Sequence, residues 1–225
     1  MFIQLPKEYV FVKGGRVSAY VNKEGILKIY EGQVFFDDLM YALAYNINQI
    51  DVCPYCGRPI RKRNLELDHK FPRDFGGISI TNNLLPCCNK CNSDKGNLNR
   101  YEYERLLEKK DCPKKERTKE KYKIIQNKEK LRYEKKSFLP NKWVKNIDLT
   151  KLNVRECYLK HYNKSTKRMA DNFAYIAKYG NLKRPVIVDK NFWIIDGFTW
   201  YLAAMETEKF KKIPVIVLEN VEVVF

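Results

Sequence analysis

Two cysteine knuckles constrain this chain more than any other feature: Cys53-Pro-Tyr-Cys56, followed by Gly57, and Cys88-Asn-Lys-Cys91. A two-residue gap lets both sulfurs of a knuckle turn toward one point, and two knuckles supply the four thiolates that tetrahedral zinc prefers. The spacing predicts a structural Zn²⁺ on Cys53, Cys56, Cys88 and Cys91, and a small element that needs a metal to complete its core. "PCCNKC" offers two registers. The two-residue gap favours Cys88, and Cys87 is then a buried apolar residue or an alternate ligand. Cys112 and Cys157 have no partner at ligand spacing and read as small core residues. A thioredoxin-like redox pair would need one CxxC, not two. Seven cysteines, an odd number, also fit a disulfide framework poorly.

The 225 residues are 44% hydrophobic and 13% aromatic, which is enough to bury a core. The formal net charge is +16. Such an excess attracts polyanions, nucleic acid first and an acidic membrane surface second. No apolar run approaches the roughly 20 residues needed to span a bilayer. The opening "MFIQLPKEYVFVKGG" lacks the apolar core and cleavage site of a secretory signal. The expected setting is intracellular, in the cytoplasm and away from the membrane.

Four segments follow from composition and periodicity. Residues 1–50 read as short strands around a Gly14-Gly15 turn, then an amphipathic helix in "FDDLMYALAYNINQI" with Leu39, Leu43 and Ile47 at four-residue spacing. Asp37 or Asp38 lies near the start of that helix. Residues 51–100 hold the knuckles. Residues 101–140 are charge-dense, glycine-free and broken at Pro113, which predicts two helical pieces. The second is exposed and strongly basic, either a solvated connector or a helix that runs along phosphates. Residues 141–225 predict a helix over 163–179 stopped by Gly180, then strand, turn, strand, helix, strand and a further short strand. "PVIVD" and "FWIID" are too apolar to lie on a surface.

Between the knuckles lie Leu67-Asp68-His69, Pro72, Gly76-Gly77 and Asn82-Asn83-Leu84-Leu85-Pro86. Asn92 and Lys95-Gly96 follow the last cysteine. A histidine alone is more often structural than catalytic. This constellation, over about residues 51–97, resembles the HNH endonucleases of the ββα-metal superfamily: CxxC, a DH pair, an Asn-Leu-x-Pro step, and a second CxxC followed by Asn. Asn92 stands where the final histidine of the namesake triad often is, and an asparagine there also occurs in the superfamily.

The resemblance implies phosphodiester hydrolysis, with His69 as the general base that activates water. Asp68 points the other way on the same strand, and with Asn92 it would hold a divalent ion, Mg²⁺ or Mn²⁺. By the same resemblance Asn83 orients the imidazole of His69. Zinc is then scaffold, separate from the catalytic ion. Arg61, Lys62, Arg63, Lys70, Arg73 and Lys95 surround the motif and are candidates for DNA backbone contacts. Each taken singly reads equally well as surface charge.

"RPVIVDKNFWIIDGFTWYLAAMETEKFKKIPVIV" resembles the N-terminal domain of ParB and its sulfiredoxin-type relatives, over about residues 145–220. In those relatives the turn after the DG binds a nucleotide phosphate, so Asp196, Gly197 and Thr199 are the implied anion or nucleotide site. Trp200 stands where an arginine is expected, and a packing or substrate-recognition module is the other reading.

The expected fold is α+β: a zinc-stapled ββα-metal nuclease core joined by a basic helical linker to a small ParB/sulfiredoxin-like domain. The expected function is a metal-dependent DNA endonuclease. Its rivals are a non-catalytic zinc-ribbon nucleic-acid binder and a nucleotide-binding switch. A phage or mobile-element setting follows only by analogy.

Overall fold

The computed structural model describes residues 1–13, 16–30, 36–109, 113–133, 143–161 and 167–225. The Gly14-Gly15 turn, Cys112 and the first residues of the helix expected over 163–179 lie outside these. The β-rich runs at the N-terminus form β1 (Tyr9–Lys13), β2 (Arg16–Val21) and β3 (Leu27–Tyr30), an antiparallel meander. The last strand of the chain, β10 (Val221–Val224), pairs parallel with β3 and completes a four-stranded sheet. Segments 1–50 and 141–225 thus share one sheet. Asn220 ties them further, its side-chain amide exchanging two hydrogen bonds of 2.9 Å with the backbone of Ile3.

Across this sheet lies α1 (Phe36–Ile47), whose acidic first turn carries Asp37 and Asp38. Its buried stripe is Phe36, Leu39, Met40, Leu43 and Ala44, the spacing of one helix face. The stripe packs into a core that also takes Ile78, Ile80 and Leu84 from the segment between the knuckles.

The C-terminal sheet runs β6-β9-β7-β8, made of β6 (Lys145–Asp148), β7 (Val186–Asp189), β8 (Ile194–Asp196) and β9 (Lys212–Leu218). Side chains alternate across a strand, and here each face meets a different core. Ile187, Ile195, Ile216 and Leu218 join the core under α1. Val186, Val188, Ile194, Val215 and Val217 join a second core with the helices of this segment. Burial on both faces explains the unbroken apolar runs. Those helices are α5 (Glu156–His161), α6 (Lys167–Tyr179) and α7 (Phe198–Glu206). Gly180, at φ 67°, ends α6 by donating its N–H to the carbonyl of Ile176 at 2.8 Å.

Asp189 ties the two sheets together. Its carboxylate, fully buried, accepts the N–H groups of Asn191 and Trp193 on one oxygen and of Val223 on the other, at 2.8–3.0 Å. Asp189→Ala leaves three backbone donors without their acceptor, that of Val223 buried. We expect a loss of about 2–4 kcal/mol in stability, read from the urea midpoint at unchanged slope.

The middle of the chain is built on β4 (Leu65–His69) and β5 (Leu84–Cys88), an antiparallel pair with His69 opposite Leu84 and Leu65 opposite Cys88. β5 runs directly into α2 (Asn89–Lys95), and α3 (Arg100–Glu108) and α4 (Lys114–Tyr133) follow. Asn99 and Glu102 form a reciprocal capping box at the start of α3. α4 is basic but not free-standing. Ile124 and Ile125 pack on the cysteine core, and Lys128 is buried against Glu102, with its ammonium 5.0 Å from the Phe75 ring.

Candidate active site and metal centre

The first knuckle is a tight hairpin in which Cys53 N–H donates to the Arg58 carbonyl and Gly57 N–H to that of Cys53, both at 2.8 Å. The second spans the junction of β5 and α2. Together they bring the sulfurs of Cys53, Cys56, Cys88 and Cys91 within 4.8 Å of one another, with Cys56 and Cys88 at 3.9 Å. Thiolates about 2.3 Å from a tetrahedral zinc sit about 3.8 Å apart, so the cluster fits that ion. The register is Cys88: Cys87 is fully buried beside it, outside the four-sulfur group, and burial pushes its thiol up to about 12. Burial also opposes ionisation of Cys53. The N–H groups of Cys88, Tyr55 and Cys56 outweigh that effect and bring Cys53 down to about 7.

β4 presents Glu66 and Asp68 on one face and His69 on the other. Asp68 is 2% exposed. One of its oxygens is 2.8 Å from the ammonium of Lys95, and the other accepts the hydroxyl of Tyr55 at 2.5 Å. Lys95, 1% exposed, also donates to the His69 carbonyl at 3.0 Å. This lysine is an internal strut between α2 and β4, and its ammonium is buried. Lys95→Met leaves Asp68 as a buried carboxylate held only by a phenol. About 3 kcal/mol of stability should be lost, measurable by denaturant unfolding.

Asn92 Nδ2 donates to Glu66 Oε2 at 2.8 Å, so α2 also meets β4 at Glu66, two residues before Asp68. Carboxylate and amide oxygens are the right type for a hard divalent cation. Both oxygens of Asp68, however, already have partners.

The His69 ring is fixed on two sides. Its Nε2 lies 3.0 Å from Ser79 Oγ, and the ring of Tyr41, from α1, approaches edge-on at 6.3 Å. Burial, then the cation of Arg73, push its pKa down to about 4, only partly offset by Asp68 and Asp37. The imidazole is therefore neutral at neutral pH. Arg73 is held in place by Asp37 at 3.2 Å.

Asn83 does not reach the ring. Its amide accepts from Phe71 N–H at 2.8 Å and donates to the carbonyls of Phe71 and Ile78 at 3.1 and 2.9 Å. It closes the loop that carries Ser79. The same loop explains Gly77: a Cβ there would lie 2.0 Å from the Phe71 carbonyl oxygen.

Of the basic residues expected around the motif, Arg61, Lys62 and Arg63 are exposed on a turn leading into β4. Lys70 donates to the Asn82 carbonyl at 2.9 Å. Asp196, Gly197 and Thr199 lie at the start of α7. Gly197 takes φ 84° there, and Asp196 is 4.0 Å from Arg184.

Sequence reasoning missed Tyr55, Ser79, Glu66 and the α1 pair Asp37 and Tyr41. An aromatic between two ligand cysteines was a weak signal for Tyr55. Ser79 and the α1 pair carried none, because only the fold brings them to the histidine.

A four-cysteine cluster of zinc type holds a strand–strand–helix unit that carries a histidine and a carboxylate on its first strand, the arrangement expected of the HNH class. Residues 53–104 match the HNH endonuclease family, so this stretch carries an HNH endonuclease domain. Over 46 residues the chain is 48% identical to the CRISPR-associated endonuclease Cas9 of Corynebacterium diphtheriae, an alignment covering 20% of this chain and 4% of that protein. No solved structure matches the chain. Among the described residues no helix is long and apolar enough to cross a membrane.

Proposed function

We propose that this protein is a metal-dependent DNA endonuclease in which His69 is the general base. The observation that carries the reading is a neutral imidazole, steadied by Ser79 and Tyr41, on the strand next to Asp68 inside the HNH-matched segment. Ser79 engages Nε2, leaving Nδ1 to take a proton from the attacking water. Asp68 and Asn92 would hold a divalent cation, Mg²⁺ or Mn²⁺, which when bound supplies charge neutralisation on the phosphate and help for the departing oxygen. Lys95 and Tyr55 hold Asp68 in position, and Asn83 holds the loop that places Ser79. Arg61, Lys62 and Arg63, exposed beside the motif, suit backbone phosphates. The strand–strand–helix–strand order of β7, β8, α7 and β9 supports the ParB-like reading of residues 141–225, with a role in binding substrate. A cytoplasmic setting is part of the same reading.

One observation favours the non-catalytic rival: both oxygens of Asp68 are already engaged. Incubating the pure protein with supercoiled plasmid and Mg²⁺ or Mn²⁺ separates the two. Nicked or linear product that needs the metal supports the nuclease. Intact plasmid alongside measurable DNA binding leaves only a zinc-stapled binder.

A further inference from the structure

We infer that α4 belongs to the four-cysteine metal centre: Arg117 donates its Nε–H to the thiolates that face it, and Lys121 fixes the helix against α2. A cavity of about 460 Å³ is lined by Cys56, Cys88 and Cys91 together with Leu106 and Leu107 of α3 and the first turns of α4. Five cationic side chains share it with the sulfurs: Arg58, Lys90, Lys114, Arg117 and Lys121. The last three lie on α4, beyond the stretch that matches the HNH family.

The donor set gives this charge a purpose. Zn²⁺ held by four thiolates is a net dianion. Such a charge is costly to take out of water unless cations or N–H donors face it. Asp94, the one carboxylate among the cavity's described residues, already accepts the Tyr103 hydroxyl at 2.9 Å. The sulfurs are then the anionic acceptors that the cavity offers.

Two further observations agree. Arg117 Nε is buried and has no hydrogen-bond partner among the described residues. A buried donor in that condition is expensive to keep, and thiolates on a metal would meet it. Other contacts hold the helix in place. Lys121 donates to the carbonyl of Asp94, three residues past Cys91. Ile124 packs on the cysteine core, and Lys128 pairs with Glu102 of α3. Arg117, Lys121, Ile124 and Lys128 recur at steps of four, three and four, one face of a helix. This face gives the basic helix a role besides connector or phosphate track. It goes beyond the cleavage reading, because the metal needs these partners whether or not any strand is cut.

The test uses the full zinc-loaded chain, with zinc affinity measured by competition against a chromophoric chelator. Losing a group that hydrogen-bonds a metal ligand typically weakens binding about 10–100-fold, and Arg117→Gln should fall in that range. Arg117→Lys keeps the charge and should recover part of the loss. Lys119→Gln removes the same charge from an exposed position of α4 outside the cavity, and should change nothing. In the cobalt-substituted protein the sulfur-to-metal charge-transfer band of Arg117→Gln should move to longer wavelength, since a thiolate without its N–H donor gives up an electron more easily. Melting temperature checks the fold. If Arg117→Gln does not fold, Arg117→Lys, which lacks the Nε–H, carries the same two measurements. Unchanged zinc affinity and an unmoved band in the folded variant overturn the proposal, even where duplex binding weakens. A loss that Lys119→Gln matches overturns it too, because bulk charge is then the cause. Failure of the wild type to cleave plasmid would count against the nuclease and leave this result untouched.

Discussion

Stripping the metal from the four-cysteine cluster is expected to unfold the segment from Cys53 to about Glu108. The core there consists of Cys53, Cys87, Cys88, Cys91, Leu98, Tyr103 and Leu106, so three of its seven buried members are sulfur ligands themselves. Binding of structural zinc to small finger-type elements contributes about 10–16 kcal/mol at neutral pH, as large as the whole stability of a typical domain. Losing it removes the clamp that joins the first knuckle to β5 and α2. Cys88→Ser should act like a chelator: metal content falls, and amide protection disappears from β4, β5, α2 and α3. The C-terminal sheet, with cores on both faces, should keep its protection. Cys87→Ser is the control. Its sulfur lies outside the cluster, so the metal should remain and the loss stay near 1–2 kcal/mol, the cost of a buried hydroxyl. If both serine variants retain metal equally, the register is wrong.

His69→Ala should lower the cleavage rate by about 10²–10⁴-fold, the usual contribution of a positioned general base. Metal content and duplex affinity should stay close to wild type. The same variant has a second signature, in stability. His69 titrates near 4 in the folded chain, below the 6.5 expected once unfolded. Between those values the unfolded chain binds the extra proton, so stability rises with pH across this window and is complete above 6.5. The span is at most about 3 kcal/mol. His69→Ala should flatten stability between pH 4 and 6.5 by about that amount, whereas Ser79→Ala should keep most of the slope and lose activity through a loosened ring. An alanine variant that still cuts at the wild-type rate would remove His69 from the chemistry.

The chain's local chemistry made much of this legible. Ligand spacing is a matter of a few residues, so Cys53, Cys56, Cys88 and Cys91 could be read together and then found together. Asp68 and His69 on opposite faces follow from the two-residue repeat of a strand. Pro113 and Gly180 punctuate helices because one cannot continue a helix and the other readily adopts a left-handed turn.

What the sequence determined by itself is therefore short-range: the elements, their apolar faces, and a cluster whose members lie at fixed steps along the chain. What only the tertiary structure decided is which distant groups meet. Tyr55 and Lys95 reach Asp68 from two sides, Ser79 and Tyr41 reach His69, and β10 pairs with β3 from more than 190 residues earlier. Periodicity encodes which face of an element is buried. The partner across that face is chosen by close packing and by the need of each buried polar group for a match, and neither has a local signature.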